Sequence, residues 1–187
     1  MSRIKDLIEA NPVIPAINRL SQLPEVIEGD SEVVFILTGD IMNLPKIVER
    51  LKKAGKTVFV NIDLIDGLSG KKIAIEYIKK VTAADGIITS KAVLVAEAKR
   101  AGLMTVHRYF ILDSRSLIAL KGQYQISKAD VVEIMPGLMP SVIKQIAQAG
   151  ATPVIASGLV CDKEDILAAL NSGALGISTT NEACWSI

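Results

Sequence analysis

A compact (β/α)8 barrel is the fold class that the chain predicts, and three observations predict it. Short apolar segments alternate with amphipathic ones eight times, and their starts recur at about twenty to thirty residues, the repeat of βα units. Half of the residues are apolar but only 4% are aromatic, so the core is built of Ile, Val, Leu and Ala, a mix suited to parallel sheet covered by helices. The last two units end in Ser157-Gly158-Leu159 and Ser178-Thr179-Thr180-Asn181, small and hydroxylic turns at the place where such barrels usually hold a phosphate. Alternation alone also suits an open doubly wound sheet; eight units with those two endings favour closure. With 187 residues, against roughly 250 in a typical barrel, the loops must be short and one domain is expected to span 1–187.

Each element is justified by local signals. Arg3 to Glu9 reads as an amphipathic helix stopped before Pro12. Val13 to Ile17 is the first strand, and Asn18 to Ile27 the helix after it, closed by Glu28-Gly29-Asp30. Glu32 to Thr38 is a buried strand, and Asn43 caps a helix to Ala54 with Pro45 in its first turn and Gly55 beyond its end. Thr57 to Asp63 forms the third strand, on which Asn61 and Asp63 share a face because strand side chains alternate. Ser69 to Val81 is helical, Gly86 to Thr89 the fourth strand, and Ser90 opens a helix through Arg100. Leu103 to Phe110 is the fifth strand, Asp113 or Ser114 caps the next helix, and Asp130 to Met135 is the sixth strand. A helix from Met139 stops at Gly150, and the strands around Val154 and Ile177 flank the last helix.

Bulk properties narrow the function. A formal net charge of +1 gives no global signal for nucleic acid or membrane, so any RNA-binding surface must be a local patch. Cys161 and Cys184 lack metal or disulfide spacing, and His107 is the sole histidine, which leaves no multi-histidine metal centre and makes a Ser-His-Asp triad a poor fit. The start MSRIKDLIEANP is too charged for a signal peptide and no apolar run is of spanning length, which points to a cytoplasmic protein. Neither GxGxxG after the first strand nor GxxxxGK[ST] occurs, which argues against dinucleotide and P-loop binding.

The C-terminal strand ends are the face on which barrels build sites. There the chain carries Asp40, Asn61, Asp63, Lys91, Arg108, Glu133, Ser157 and Ser178 to Asn181. Gly158 allows close backbone approach to an oxyanion, with hydroxyls and N–H groups donating; an ordinary βα turn followed by an N-cap run has the same composition. Arg108 and Glu133, on consecutive strands, are expected to face each other, as a ligand clamp or as a structural ion pair. Asp63 with Asn61 suits a polyol or, equally, a capped turn. Lys91 at a helix start opposes the dipole, which favours a functional role. His107, next to Arg108, points toward the helices. The pairs Lys52-Lys53, Lys71-Lys72, Lys79-Lys80 and Lys99-Arg100 are either solvated faces or a phosphate-contacting stripe.

Six strings in order along the chain carry a resemblance: NIDLIDGLSG (61–70), GIITSK (86–91), HRYFILDS (107–114), EIMPGLMP (133–140), IASGLV (155–160) and ISTTNEACW (177–185). Together they resemble the glycerol uptake operon antiterminator regulatory proteins, the glycerol-3-phosphate-responsive antiterminators. The resemblance implies a TIM-barrel-like, non-enzymatic cytoplasmic regulator. Its effector would be glycerol-3-phosphate, with no cofactor or metal, and its partner the leader mRNA of glycerol-utilisation genes; a homo-oligomer is compatible with it. Carried onto this chain, the phosphate would meet Ser157, Gly158, Leu159, Ser178, Thr179 and Thr180, and the polyol would meet some of Asp63, Lys91, Arg108 and Glu133. The family pattern has Gly-Gly-Leu where this chain has Ser157-Gly158-Leu159, and Leu-Trp where it has Cys184-Trp185.

Two other readings suit the same residues. One is a barrel enzyme (isomerase, epimerase or aldolase) on a small phosphorylated substrate, with Asp63, Lys91 and Glu133 as acid/base candidates. The other is a ligand sensor acting through a protein partner. The RNA partner rests on the resemblance, whereas the phosphate site has its own support in the two strand ends.

Overall fold

The computed structural model describes residues 3–150 and 152–187. Eight parallel strands close into a barrel in chain order: β1 Val13–Ile17, β2 Val33–Ile36, β3 Thr57–Asn61, β4 Gly86–Thr89, β5 Met104–Phe110, β6 Val131–Met135, β7 Val154–Ser157 and β8 Gly176–Thr179. Helices α2 Leu23–Glu28, α3 Leu44–Lys53, α4 Lys72–Val81, α5 Ala92–Arg100, α6 Ser114–Ser127, α7 Pro140–Ala149 and α8 Lys163–Asn171 come after β1 to β7 on the outside, and α1 Arg3–Ala10 precedes β1.

Period-two alternation decides what fills the barrel. Ile14, Ala16, Val33, Phe35, Phe59, Ile88, Val106, Val131 and Ile155 point inward and form one apolar cluster. The Phe35 and Phe59 rings meet edge to face at 5.6 Å, a favoured aromatic geometry. Ile4 and Ile8 of α1 belong to the same cluster and are fully buried, so the first helix plugs the N-terminal end of the barrel. Burying two such side chains contributes about 3–6 kcal/mol. The outward-facing residues of the strands pack against the helices in two larger clusters.

One step further along the strands the inward positions turn polar. Phe59 is succeeded by Asn61, Val106 by Arg108, Val131 by Glu133, Ile155 by Ser157 and Gly176 by Ser178, all five polar residues buried. Parallel register places Arg108 beside Glu133 and Ser157 beside Ser178. The C-terminal end of the barrel therefore carries a buried polar layer on an apolar floor.

Four local expectations are corrected. The helix after β1 is a 3-10 turn, Leu20–Gln22, leading into α2 with Pro24 in its first turn; proline has no N–H for a helix already under way, so the helix restarts there. Asn43 sits at the N-cap of α3 without capping through its side chain. Its amide instead accepts from Asp40 N at 2.9 Å and donates to the Asp40 carboxylate at 2.7 Å. The third strand ends at Asn61, and the chain turns, with Asp63 N donating to Asn61 Oδ1. Asn61 faces inward while Asp63 is exposed, so the two do not share a face. Ser90 lies before α5 rather than in it, because its N–H and hydroxyl both donate to Asp63.

Candidate functional site

At the C-terminal end, β7 and β8 run out side by side and enclose a cavity of about 160 Å³, small beside the 300–1,000 Å³ of drug-sized pockets. Ser157, Gly158, Leu159, Ser178, Thr179 and Thr180 all line it, with Arg108 and Met135 from β5 and β6 and Ala16 and Leu37 from the β1–β2 side. After Ser157 the chain reverses through two consecutive left-handed residues, Gly158 at φ +79° and Leu159 at φ +64°. A Cβ on Gly158 would stand 2.8 Å from Met135 Cε, so only glycine gives this turn without displacing the cavity wall. Leu159, with its costly backbone, points its side chain to solvent and is 67% exposed. This part of the wall is mostly backbone, which suits recognition of an anion by N–H groups.

The three hydroxyls of the β8 end are not equivalent. Thr179 points outward: its hydroxyl donates to Val160 O at 3.1 Å and accepts from Asn181 N at 3.1 Å. Thr180 is exposed, and its carbonyl accepts from the buried Gln22 side chain at 3.2 Å. Ser178 points inward, is 1% exposed, and its Oγ has no hydrogen-bond partner among the described residues. This hydroxyl lines the cavity, where it is available to whatever occupies it. Trp185 fastens the end of β8 through Nε1, which donates to Thr179 O at 2.9 Å.

Arg108 reaches this cavity from β5. Its Nε donates to Glu133 Oε2 at 2.6 Å and its Nη2 to Oε1 at 3.2 Å. The pair is almost dry, with side chains 8% and 0% exposed. Glu133 lies behind the guanidinium and is not part of the lining. A guanidinium carries five N–H donors; two go to Glu133, and Arg108 also lines the cavity. The expected meeting of Arg108 and Glu133 is present, and Arg108 stands with the serines rather than apart from them. Sequence reasoning does not single out Ala16, Leu37 and Met135, whose apolar side chains give no chemical signal.

Asp63 and Lys91 lie elsewhere. Asp63 accepts from Thr89 Oγ1 at 3.0 Å, Ser90 N at 2.7 Å and Ser90 Oγ at 3.0 Å. This ties the loop after β3 to the loop after β4. Lys91 Nζ is 3.7 Å from the same carboxylate, on a half-exposed side chain, and sits directly over Gly70. Neither residue lines the cavity.

His107 faces outward from β5 and is fully buried. The Ser90 carbonyl can only accept, so Nε2 carries the proton and donates to Ser90 O at 3.3 Å, which leaves Nδ1 to accept from Tyr109 Oη at 2.7 Å. Burial lowers its pKa below the usual imidazole value, with the Ser90 carbonyl and the Asp63 charge opposing. The unfolded chain therefore takes up a proton at a higher pH than the folded one, and stability falls as pH drops below about 6.5. Urea unfolding at pH 5.5 and 7.5 should show this loss, and His107→Gln should flatten it; an equal slope in the variant would assign the loss to carboxylates.

No helix among the described residues is long and apolar enough to cross a membrane, and no group of three or more potential metal ligands occurs among them. Comparison with known proteins agrees with this architecture. The Escherichia coli (strain K12) protein YgcP is 39% identical over 181 residues, covering 97% of this chain and 95% of its own. The crystal structure of the glycerol uptake operon antiterminator regulatory protein from Listeria monocytogenes superposes with a TM-score of 0.90 at 27% identity, over 94% of this chain and 95% of that one. A glycerol uptake operon antiterminator-related protein from Thermotoga maritima superposes at 0.82 with 36% identity, over 94% and 98%. The family model described as glycerol-3-phosphate responsive antiterminator matches residues 13–185. From the first strand to the last turn, the chain belongs to the glycerol-3-phosphate responsive antiterminator family.

Proposed function

We propose that the chain binds glycerol-3-phosphate at the C-terminal end of the barrel and, in response, engages the leader mRNA of glycerol-utilisation genes so that transcription passes a terminator. The observation that carries the ligand reading is the Ser178 hydroxyl, buried in a small cavity without a protein partner among the described residues. Beside it stand the left-handed Gly158-Leu159 turn and Arg108, which lines the same cavity. The phosphate is assigned to Ser157, Gly158, Leu159, Ser178 and the start of the loop at Thr180, with the Thr179 hydroxyl holding the neighbouring loop. Arg108 addresses the anion or the adjacent hydroxyl of the polyol, and Glu133 orients Arg108. Asp63 and Lys91, at the rim over β3 and β4, would reach a polyol only after movement of their loops.

The test is thermal unfolding with glycerol-3-phosphate, glycerol and inorganic phosphate in parallel. At a hundred times its dissociation constant a ligand stabilises the folded state by about 2.7 kcal/mol. For a chain of this length that is a midpoint rise of roughly 5–10 °C. The rise is expected with glycerol-3-phosphate alone. A flat response to all three would remove the ligand assignment, and turnover of glycerol-3-phosphate would replace the regulator by a barrel enzyme.

A further inference from the structure

The near-neutral total charge conceals a strong polarity around the barrel. Residues 44–103, which form α3, β3, α4, β4 and α5, hold twelve of the twenty-one basic side chains and six of the twenty acidic ones, a net +6. Residues 1–43 hold three basic and seven acidic side chains. The three basic helices are consecutive on the barrel wall, since β3, β4 and β5 are neighbours. Adjacent helices lie about 8–10 Å apart, roughly one Debye length at physiological salt, so their charges act on a partner together.

Much of this charge is exposed. Lys53, Lys80 and Arg100 pair with an acid on their own helix, while Lys46, Arg50 and Lys79 are exposed with no ion pair among the described residues. Lys46, Arg50 and Lys53, spaced four and three residues apart, form one stripe along α3. Exposed apolar side chains on the wall, Ile73, Val81 and Val93, sit at helix ends. A protein interface would need an apolar centre. Tyr77, the aromatic residue of α4, donates its hydroxyl to Ile41 O and is only partly exposed, so base stacking is not provided here.

We infer that the outer wall of α3, α4 and α5 is the surface on which the sugar–phosphate backbone of RNA docks, with Lys46, Arg50 and Lys79 as its unpaired cations. The inference rests on the RNA reading above and places it away from the ligand cavity. Contacts of this kind position an RNA without reading its bases.

The test compares two triple variants by fluorescence titration of a labelled random-sequence RNA pool, with glycerol-3-phosphate present. Lys46→Gln/Arg50→Gln/Lys79→Gln neutralises the wall. Arg115→Gln/Lys144→Gln/Lys163→Gln removes the same charge from exposed positions on α6, α7 and α8. Each lost phosphate contact lowers the salt slope by about 0.7. The wall variant should therefore lose about two units of slope and roughly a hundredfold in affinity at about 0.1 M salt, while the control stays within about twofold. Unchanged thermal midpoints and unchanged glycerol-3-phosphate shifts in both variants show that fold and cavity are intact. Equal weakening of both would overturn the wall as the docking surface, as would no weakening of either. Wild-type protein that binds no RNA would sink the RNA reading itself. Competition by polyglutamate, charge for charge as effective as RNA, would assign the wall to acidic proteins instead.

Discussion

Glu133→Gln alone is expected to lower the unfolding free energy by about 3–5 kcal/mol, although the replacement keeps the size and shape of the side chain. Glu133 is completely buried and carries both of the hydrogen bonds that hold Arg108. Removing its charge leaves a guanidinium in a dry site with no counter-charge, the most expensive way to break such a pair. At about 2–4 °C per kcal/mol for a chain of this size, the midpoint should fall by roughly 6–20 °C. Arg108→Met strands the carboxylate in the same way and should cost a similar amount. The double variant Arg108→Met/Glu133→Leu should be more stable than either single one, because two apolar side chains replace a desolvated pair. It should also lose the response to glycerol-3-phosphate, which separates a fold role from a ligand role. Single variants as stable as the parent would show that water reaches the pair and that it is not an interior one.

Ser178→Ala should leave the stability of the free protein intact while it weakens the ligand response. In the free protein the substitution removes a hydroxyl that has no protein partner among the described residues, so the variant should be at least as stable as the parent. With glycerol-3-phosphate it forfeits a hydrogen bond to a charged group, about 1.5–3 kcal/mol, and affinity should fall roughly tenfold to a hundredfold. Calorimetric titration and thermal unfolding of the same two proteins read both effects. Thr179→Val supplies the contrast. Its hydroxyl bridges Val160 O and Asn181 N, so that variant should be less stable, with ligand binding weakened only through the displaced loop. A Ser178→Ala variant that loses stability and keeps full affinity would mean that the hydroxyl serves the fold.

Much of the barrel is legible in the chain because its signals are local. β1 and β4 fall where apolar run and flanking turn place them, and the period-two rule correctly turns Arg108 inward beside Glu133. Two of the misreadings, those of Asp63 and Asn43, have one physical cause: the decisive partner lies outside the element to which the sequence assigns the residue. Asp63 reads as a strand-face residue, but its carboxylate is taken by Thr89 and Ser90, twenty-six and twenty-seven residues on. Asn43 has the composition of a cap and spends its amide on Asp40. At the site, Ser157 and Ser178 are legible as strand-end hydroxyls. That Ser178 has no partner among the described residues while Thr179 is engaged by Val160 and Asn181 is something no spacing rule reports. Arg108 belongs with the serines because its long side chain reaches the cavity that they line, which the strand order does not convey.

The plug formed by α1 bears on how the molecule is made in a cell. Ile8 packs so closely on β8 that a Cβ at Gly176 would stand 2.5 Å from it, and β1 pairs with β8 to complete the ring. Residues of α1 and β1 thus wait for β8, about 160 residues further along the chain, before they find their place. At about 5–20 residues per second, translation of the stretch between them takes on the order of 10–30 s. Throughout that interval the nascent polypeptide carries Ile4, Ile8 and an unpaired first strand uncovered. It is in that period, rather than after release, that chaperones have the most to shield.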